Sequence, residues 1–257
     1  MIDLEGQTHF VTGASRGAGA GIASVLAAAG ADVIVGYGAN TQAAEDMATQ
    51  LGVRAKGLVQ ADFSRPDAAC AAWERARALA GGPIHGLVLN HGIFEAASVH
   101  DDVSAWQSNW ARTLQVNLQS AADLARLALR DWVDGGDVGQ KPGGTLIAIA
   151  SRAAHRGDDL DHPAYAASKA GLIAMIKTFA RAYSGRGVLA YAISPGWIDT
   201  EMAPQDPADR ARALSEVPYG DMASPEELGR LCAFLLAGGS PSATGATFDV
   251  NGASYVR

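Results

Sequence analysis

Seven short apolar runs punctuate this 257-residue chain, at 9–12, 32–36, 57–61, 84–89, 144–150, 188–194 and 245–250. All but the last are separated by segments long enough for a helix. Parallel strands need a crossover of roughly a dozen residues or more, so this rhythm predicts βαβ units and a parallel sheet. Gly86, Leu87, Val88 and Leu89 are apolar without alternation, as are Leu146, Ile147, Ala148 and Ile149, which fits strands buried on both faces. The intervening segments carry the helical period. Ile22, Val25, Leu26 and Ala29 form one stripe, and Leu172, Ile173, Ile176, Phe179 and Ala180 form another within 163–185. The fold class is therefore α/β, doubly wound, with a central parallel sheet of about seven strands flanked by helices.

Neither an internal repeat nor a Pro/Ser linker divides the chain, so residues 1–257 are expected to form one domain. Residues 197–222 stand apart: Pro204, Pro207 and Pro218 interrupt a charged stretch of poor periodicity. A long segment of that kind in a compact domain is usually functional, and a substrate lid is expected there. The net charge of −7 and the absence of a basic run argue against nucleic acid and anionic membrane surfaces as partners. No uncharged apolar run approaches the ~18 residues of a membrane span, and the acidic start shows no signal-peptide pattern. A soluble, cytoplasmic protein is expected. Cys70 and Cys232 lie far apart without ligand spacing, so buried thiols and no metal site are expected.

The first strand runs into Thr12, Gly13, Ala14, Ser15, Arg16, Gly17, Ala18 and Gly19, and an apolar helix follows. Glycines at such a turn let backbone bend sharply or approach a phosphate, and the helix start supplies free N–H groups for a pyrophosphate. Steric need alone also produces glycine-rich turns. The position at the first βα turn favours a Rossmann-type dinucleotide site, although the spacing differs from the commoner G-x-G-x-x-G.

Tyr165 and Lys169 are one helical turn apart on one face. An isolated pair of this kind is usually an exposed tyrosine beside a solvated lysine. Here Ser151 ends the apolar run 144–150, where open α/β sheets bind ligands. A nearby ammonium would stabilise the phenolate and bring its pKa from near 10 to roughly 7–8, suited to acid–base work.

Taken together, these residues resemble the short-chain dehydrogenase/reductase family, in particular its 3-oxoacyl-carrier-protein reductase-like members. The resemblance covers nearly the whole chain: the 12–19 loop, Asp62, Asn90 to Gly92, Asn117, Ser151, Tyr165 with Lys169, Pro195 and Gly196 with Thr200, and Thr244 with Gly245. It implies an oxidoreductase moving a hydride between a nicotinamide cofactor and a carbonyl or secondary alcohol. Tyr165 would be the general acid or base, Ser151 would hold the substrate oxygen, and Lys169 would lower the Tyr165 pKa and bind the nicotinamide ribose. Asn117 would hold the water that links Lys169 to solvent. The cofactor would lie along Gly13, Ser15, Arg16, Gly17 and Gly19, then Tyr37, Asp62, Phe63, Asn90 and Gly92, together with Tyr165 and Lys169. Pro195, Gly196, Ile198 and Thr200 would complete its site, and Asp62 would meet the adenine.

NADP(H) is expected to be preferred, with NAD(H) as the alternative. Tyr37 stands where an NAD-specific site places an acid, and Arg16 is placed to pair a 2′-phosphate, while Gly38 offers no second cation. The family's Asn-Asn-Ala-Gly motif reads Leu89, Asn90, His91, Gly92, and His91 is expected to pack or bond locally rather than catalyse. The charged stretch 152–159 replaces small residues; it either shapes substrate choice or is solvated. Phe94, His155, Trp197 and the 197–222 segment are expected near the substrate, which suggests an apolar or ring-bearing carbonyl compound. Trp106, Trp110, Leu114, Leu118, Leu124, Leu127, Leu129 and Trp132 suggest a symmetric homo-oligomer, dimer or tetramer, unless they pack within one subunit. A catalytically silent dinucleotide-binding regulator is the alternative, disfavoured because all four catalytic positions are present. Dehydratase or epimerase chemistry is disfavoured because the extra substrate domain is missing.

Overall fold

Adjacent residues of the central strands enter opposite cores, and both cores are apolar. Phe10, Ile34, Leu87 and Leu146 are fully buried on one side of the sheet, and Val11, Val33, Val88 and Ile147 on the other. The computed structural model describes residues 2–134, 143–201 and 203–257. The strands are β1 (Thr8–Val11), β2 (Asp32–Tyr37), β3 (Ala55–Gln60), β4 (Gly86–Leu89), β5 (Gly144–Ile149), β6 (Val188–Pro195) and β7 (Thr247–Val250). They form one all-parallel sheet in the order β3-β2-β1-β4-β5-β6-β7. The seven expected strands are present, with boundaries within a few residues of the apolar runs.

Three helices cover the second face: α1 (Gly17–Ala28), α2 (Thr41–Leu51) and, from the far end of the chain, Pro225–Leu236. The first face carries α3 (Ala68–Ala80), then α4 (Val103–Leu114) continued by α5 (Ser120–Asp134), and beyond β5 the short α6 (Ala153–Arg156) and the long α7 (Pro163–Tyr183). The crossover into β7 carries two further helices, α8 (Pro207–Ser215) and α9 (Pro225–Leu236). Local chemistry accounts for both: Asp206 and Ser224 cap their first turns through backbone N–H groups, and each helix opens on a proline.

The strand order reverses between β1 and β4, so the loops leaving these strands diverge and open a crevice at their carboxyl ends. Between α4 and α5 the backbone widens into a π-turn, Gln115–Gln119, which contains Asn117. Such turns insert one residue into a helix and re-aim its neighbours. One expectation is corrected. Cys70 is exposed, because the buried stripe of α3 runs through Ala69, Ala72, Trp73, Ala76 and Ala80 and leaves position 70 outside it. Leu124, Leu129 and Trp132 are buried in the chain's own core, leaving Trp106, Trp110, Leu114, Leu118 and Leu127 part-buried.

Candidate active site

The turn after β1 is constrained first by its own packing. Gly13 has φ +62°, and a Cβ there would stand 3.0 Å from the His91 Cα. A Cβ at Gly19 would stand 2.1 Å from the Gly13 carbonyl oxygen. The steric need for glycine is therefore real, and it is compatible with a ligand role. No side chain caps the start of α1, and no acid lies in its first turn. A helix start left open in this way suits a pyrophosphate. Gly17, with φ +55°, faces the Thr200 side chain across the crevice, and Ser15 is half-buried in the turn. Arg16 is exposed and lies 4.0 Å from the equally exposed Glu201.

Tyr37 ends β2, and its carbonyl accepts the Ala61 N–H, so the ends of β2 and β3 are tied together. Asp62 accepts both the backbone N–H (3.1 Å) and the hydroxyl (2.6 Å) of Ser64 through Oδ1. These bonds hold its carboxyl below the usual range, so it serves the local turn whatever else it binds. Phe63 lies against His91, with ring centroids 4.1 Å apart. Asn90 donates from Nδ2 to the carbonyls of Thr12 and Gly13, bracing the glycine loop from below. Gly196 is required by packing, since a Cβ there would meet the Asn251 Cβ at 2.9 Å. Pro195 accepts the Arg152 N–H, and Thr200 donates its hydroxyl to Ile198.

The catalytic candidates converge at the ends of β5 and α7. Ser151 follows β5; its Oγ accepts the Ala153 N–H at 3.1 Å, and the hydroxyl is near enough to Tyr165 of α7 to oppose the rise of the phenol's pKa. One turn further along α7, the Lys169 Nζ lies 5.7 Å from the centre of the Tyr165 ring and donates to the Ile149 carbonyl at 2.9 Å. Asn117 is fully buried, with Oδ1 accepting the Ile93 N–H (2.8 Å) and Nδ2 donating to Ser168 (3.1 Å). A Cβ at Gly92 would sit 3.3 Å from Asn117 Oδ1 and 3.4 Å from Lys169 Nζ, so glycine keeps that corner open.

The expected lowering of the Tyr165 pKa is not what this geometry produces. Burial pushes the phenol up to about 12 against the opposing Ser151 bond, with Asp158 adding to the rise. Burial likewise brings Lys169 down to about 8. The ammonium is bonded to a carbonyl rather than to the phenol, so here desolvation outweighs pairing. Tyr165 is thus held as a neutral proton donor.

The surroundings sort the remaining candidates. Phe94 stacks on His162 at 3.7 Å and meets the Tyr165 ring edge-on at 4.8 Å, so it stands at the candidate phenol. His155 stacks on Tyr255 at 5.6 Å instead, toward the C-terminal tail. His91 bonds through both ring nitrogens, to Thr12 on one side and Ser120 on the other. Sequence reasoning missed Ser168, which joins Asn117 to the Tyr165 carbonyl and already stood within the Tyr165 to Lys169 motif. It also missed the burial of Arg152, whose guanidinium binds Glu216 at 3.0 Å and lies 5.7 Å from the centre of the Trp197 ring. Nothing local marks an arginine after Ser151 as buried.

A family profile described as Enoyl-(Acyl carrier protein) reductase matches residues 13–253. The chain is 33% identical to the 3-oxoacyl-[acyl-carrier-protein] reductase of Escherichia coli K12 over 256 residues, covering 99% of this chain and 100% of that protein. It is 34% identical to the 3beta-hydroxysteroid dehydrogenase 1 of Eggerthella lenta, covering 97% and 94% respectively. Among solved structures, a short chain dehydrogenase from Burkholderia cenocepacia J2315 in complex with NADP superposes with a TM-score of 0.86 at 32% identity, over 98% of each chain.

Proposed function

Since this chain belongs to the short-chain dehydrogenase/reductase family, we propose that Ser151, Tyr165, Lys169 and Asn117 are its catalytic set. The protein is an oxidoreductase that moves a hydride between NADP(H), its preferred cofactor, and a carbonyl or secondary-alcohol substrate. The observation that carries the residue assignment is geometric: at the sheet's carboxyl edge Lys169 Nζ lies 5.7 Å from the centre of the Tyr165 ring, and Asn117 is tied through Ser168 to the Tyr165 carbonyl. In reduction, both hydroxyls meet the substrate oxygen: Ser151 donates a hydrogen bond to the developing negative charge, and Tyr165 transfers its proton. Lys169, with its pKa near 8, then returns a proton to the phenolate, and Asn117 holds the route to solvent. The cofactor supplies the hydride when bound. The open first turn of α1 would take its pyrophosphate, and Arg16 its 2′-phosphate, with Ser15, Tyr37, Asp62, Phe63, Asn90, Gly92, Pro195, Gly196, Ile198 and Thr200 around it.

We assign the chain one domain, with 197–222 as its lid; Met202 within that span lies outside the described residues. Support for the lid comes from its attachment. Its small cluster of Ala203, Ala213 and Met222 with Trp197 and Leu214 is separate from the main cores, while Glu216 reaches both Arg152 and Arg156 beside Ser151. Phe94 and Trp197 favour an apolar or ring-bearing ketone. Relatives at 33% and 34% identity are a 3-oxoacyl-[acyl-carrier-protein] reductase and a 3beta-hydroxysteroid dehydrogenase, so identity alone does not select between these classes. A homo-oligomer built on the part-buried face of α4, and a cytoplasmic location, complete the proposal. No helix among the described residues is long and apolar enough to cross a membrane.

The test is to follow NADPH absorbance with a panel of acetoacetyl thioester, steroid ketones, cyclic ketones and keto sugars, comparing wild type with Tyr165→Phe. The variant keeps the ring, so NADPH should still bind while turnover falls about 10²–10⁴-fold. Retention of more than about a tenth of the rate removes Tyr165 from the catalytic role.

A further inference from the structure

Thr12 closes β1 with a hydroxyl at the centre of a small network. Its Oγ1 receives the backbone N–H groups of Asn90 (2.9 Å) and His91 (3.2 Å), which occupy both lone pairs. Its own proton must therefore be given away, and the nearest acceptor is His91 Nδ1 at 2.7 Å, ahead of the Val88 carbonyl at 3.1 Å. A proton on Nδ1 would face an oxygen with no lone pair left. His91 is therefore the neutral tautomer with its proton on Nε2, and it donates to Ser120 Oγ at 2.9 Å. Ser120 in turn donates to the Val116 carbonyl at 2.8 Å. Every donor in this relay has an acceptor, and the ring lies against Phe63. Burial, with Lys169 nearby, pushes the His91 pKa down to about 3, in keeping with a ring that stays neutral.

The two ends of the relay matter for different reasons. Thr12 begins the glycine loop. Val116 and Ser120 straddle Asn117 in and just after the π-turn. From Asn117 the bonds continue through Ser168 to the Tyr165 carbonyl at 2.7 Å. One imidazole thus joins segments 79 residues before it and 29 after it. It lies between the cofactor loop and the helix that carries Tyr165 and Lys169.

We propose that His91 is a positioning residue: its two ring nitrogens set the spacing between the glycine loop and the π-turn, and so place Asn117 against the Tyr165 helix. This rests on the catalytic assignment made above. A small side chain at this position would fill less space and make neither bond.

The test compares Ser120→Ala, His91→Ala and the double variant in the full chain. NADPH affinity is read by fluorescence, and turnover by the best ketone of the panel. Ser120→Ala should lower kcat about 3- to 10-fold, the effect of one buried hydrogen bond, with the NADPH Kd within about twofold of wild type. His91→Ala should weaken NADPH binding several-fold and lower kcat about 10- to 100-fold. Imidazole should restore both in part, and 1-methylimidazole, which cannot donate, should not. The double variant should fall no further than His91→Ala, because both act through one relay. Wild-type kcat in Ser120→Ala, additive losses, or equal rescue by the two imidazoles would overturn the proposal. If His91→Ala does not fold, the Ser120→Ala split between kcat and Kd decides it. Tyr165→Phe measured alongside separates the two failures: an active Tyr165→Phe removes the catalytic assignment, whereas an inactive one with wild-type Ser120→Ala removes only the role of His91.

Discussion

Arg16 stands at the mouth of the crevice with most of its side chain in water, and its 4.0 Å approach to Glu201 contributes little to stability in that setting. The guanidinium is therefore able to turn toward a phosphate, where charge-assisted bonds are stronger. Arg16→Ala should lower kcat/KM for NADPH by about tenfold or more and change that for NADH less than about threefold. Steady-state kinetics with both cofactors check this, and equal losses would mean that Arg16 does not read the 2′-phosphate. Arg16 could be singled out from sequence because its role depends on a loop position. The ionisation of Tyr165 could not. Pairing with Lys169 pointed downward, and burial pushed the phenol up to about 12, because a helical spacing does not reveal what covers the side chain.

At the scale of elements, the junction of α1 and α9 governs how the glycine loop is presented. The two helices meet at glycines: a Cβ on Gly21 would stand 2.3 Å from the Pro225 Cβ, and one on Gly229 would stand 2.8 Å from the Gly21 carbonyl oxygen. Gly21→Ala gains helix propensity of about 1 kcal/mol. It must also displace backbone in a closely packed contact, at a cost of about 1–3 kcal/mol. The expected net result is a Tm lower by up to about 8 °C and weaker NADPH binding, because α1 carries the loop. Thermal unfolding and NADPH titration check it, and an unchanged or raised Tm would show that the helices adjust freely. The apolar period of α1 was legible in the sequence, but the contact between α1 and α9 joins segments some two hundred residues apart. No local pattern encodes that contact.

The whole molecule has an acid limit built into its core. His9, on β1, is fully buried, and among the described residues neither ring nitrogen has a partner. Burial, with His85 nearby, lowers its pKa to about 3, and burial with Lys169 nearby does the same for His91. Both folded values lie below the unfolded value near 6.5. The stability is therefore fully present above about pH 6.5 and is lost as the pH falls from there toward 3. The slope is about 1.4 kcal/mol per pH unit for each histidine. Urea unfolding at several pH values should show this slope, and His9→Val should flatten it by about one histidine's share. An unchanged slope in the variant would mean that His9 is not neutral in the fold.

The sequence by itself determined what depends on neighbours in the chain. Apolar runs specified seven strands, periodic stretches specified helices, and the 12–19 loop, Ser151 and the spacing of Tyr165 and Lys169 marked the candidate site at the carboxyl end of the sheet. The tertiary structure alone decided that Cys70 faces solvent and that Arg152 is buried against Glu216 and Trp197. It also decided that Tyr165 is held protonated and that His91 bridges Thr12 and Ser120. Periodicity and spacing are set by bonded geometry over one or two turns. Desolvation and long-range hydrogen bonds depend on which distant segments close over a side chain, and only the packed chain fixes those.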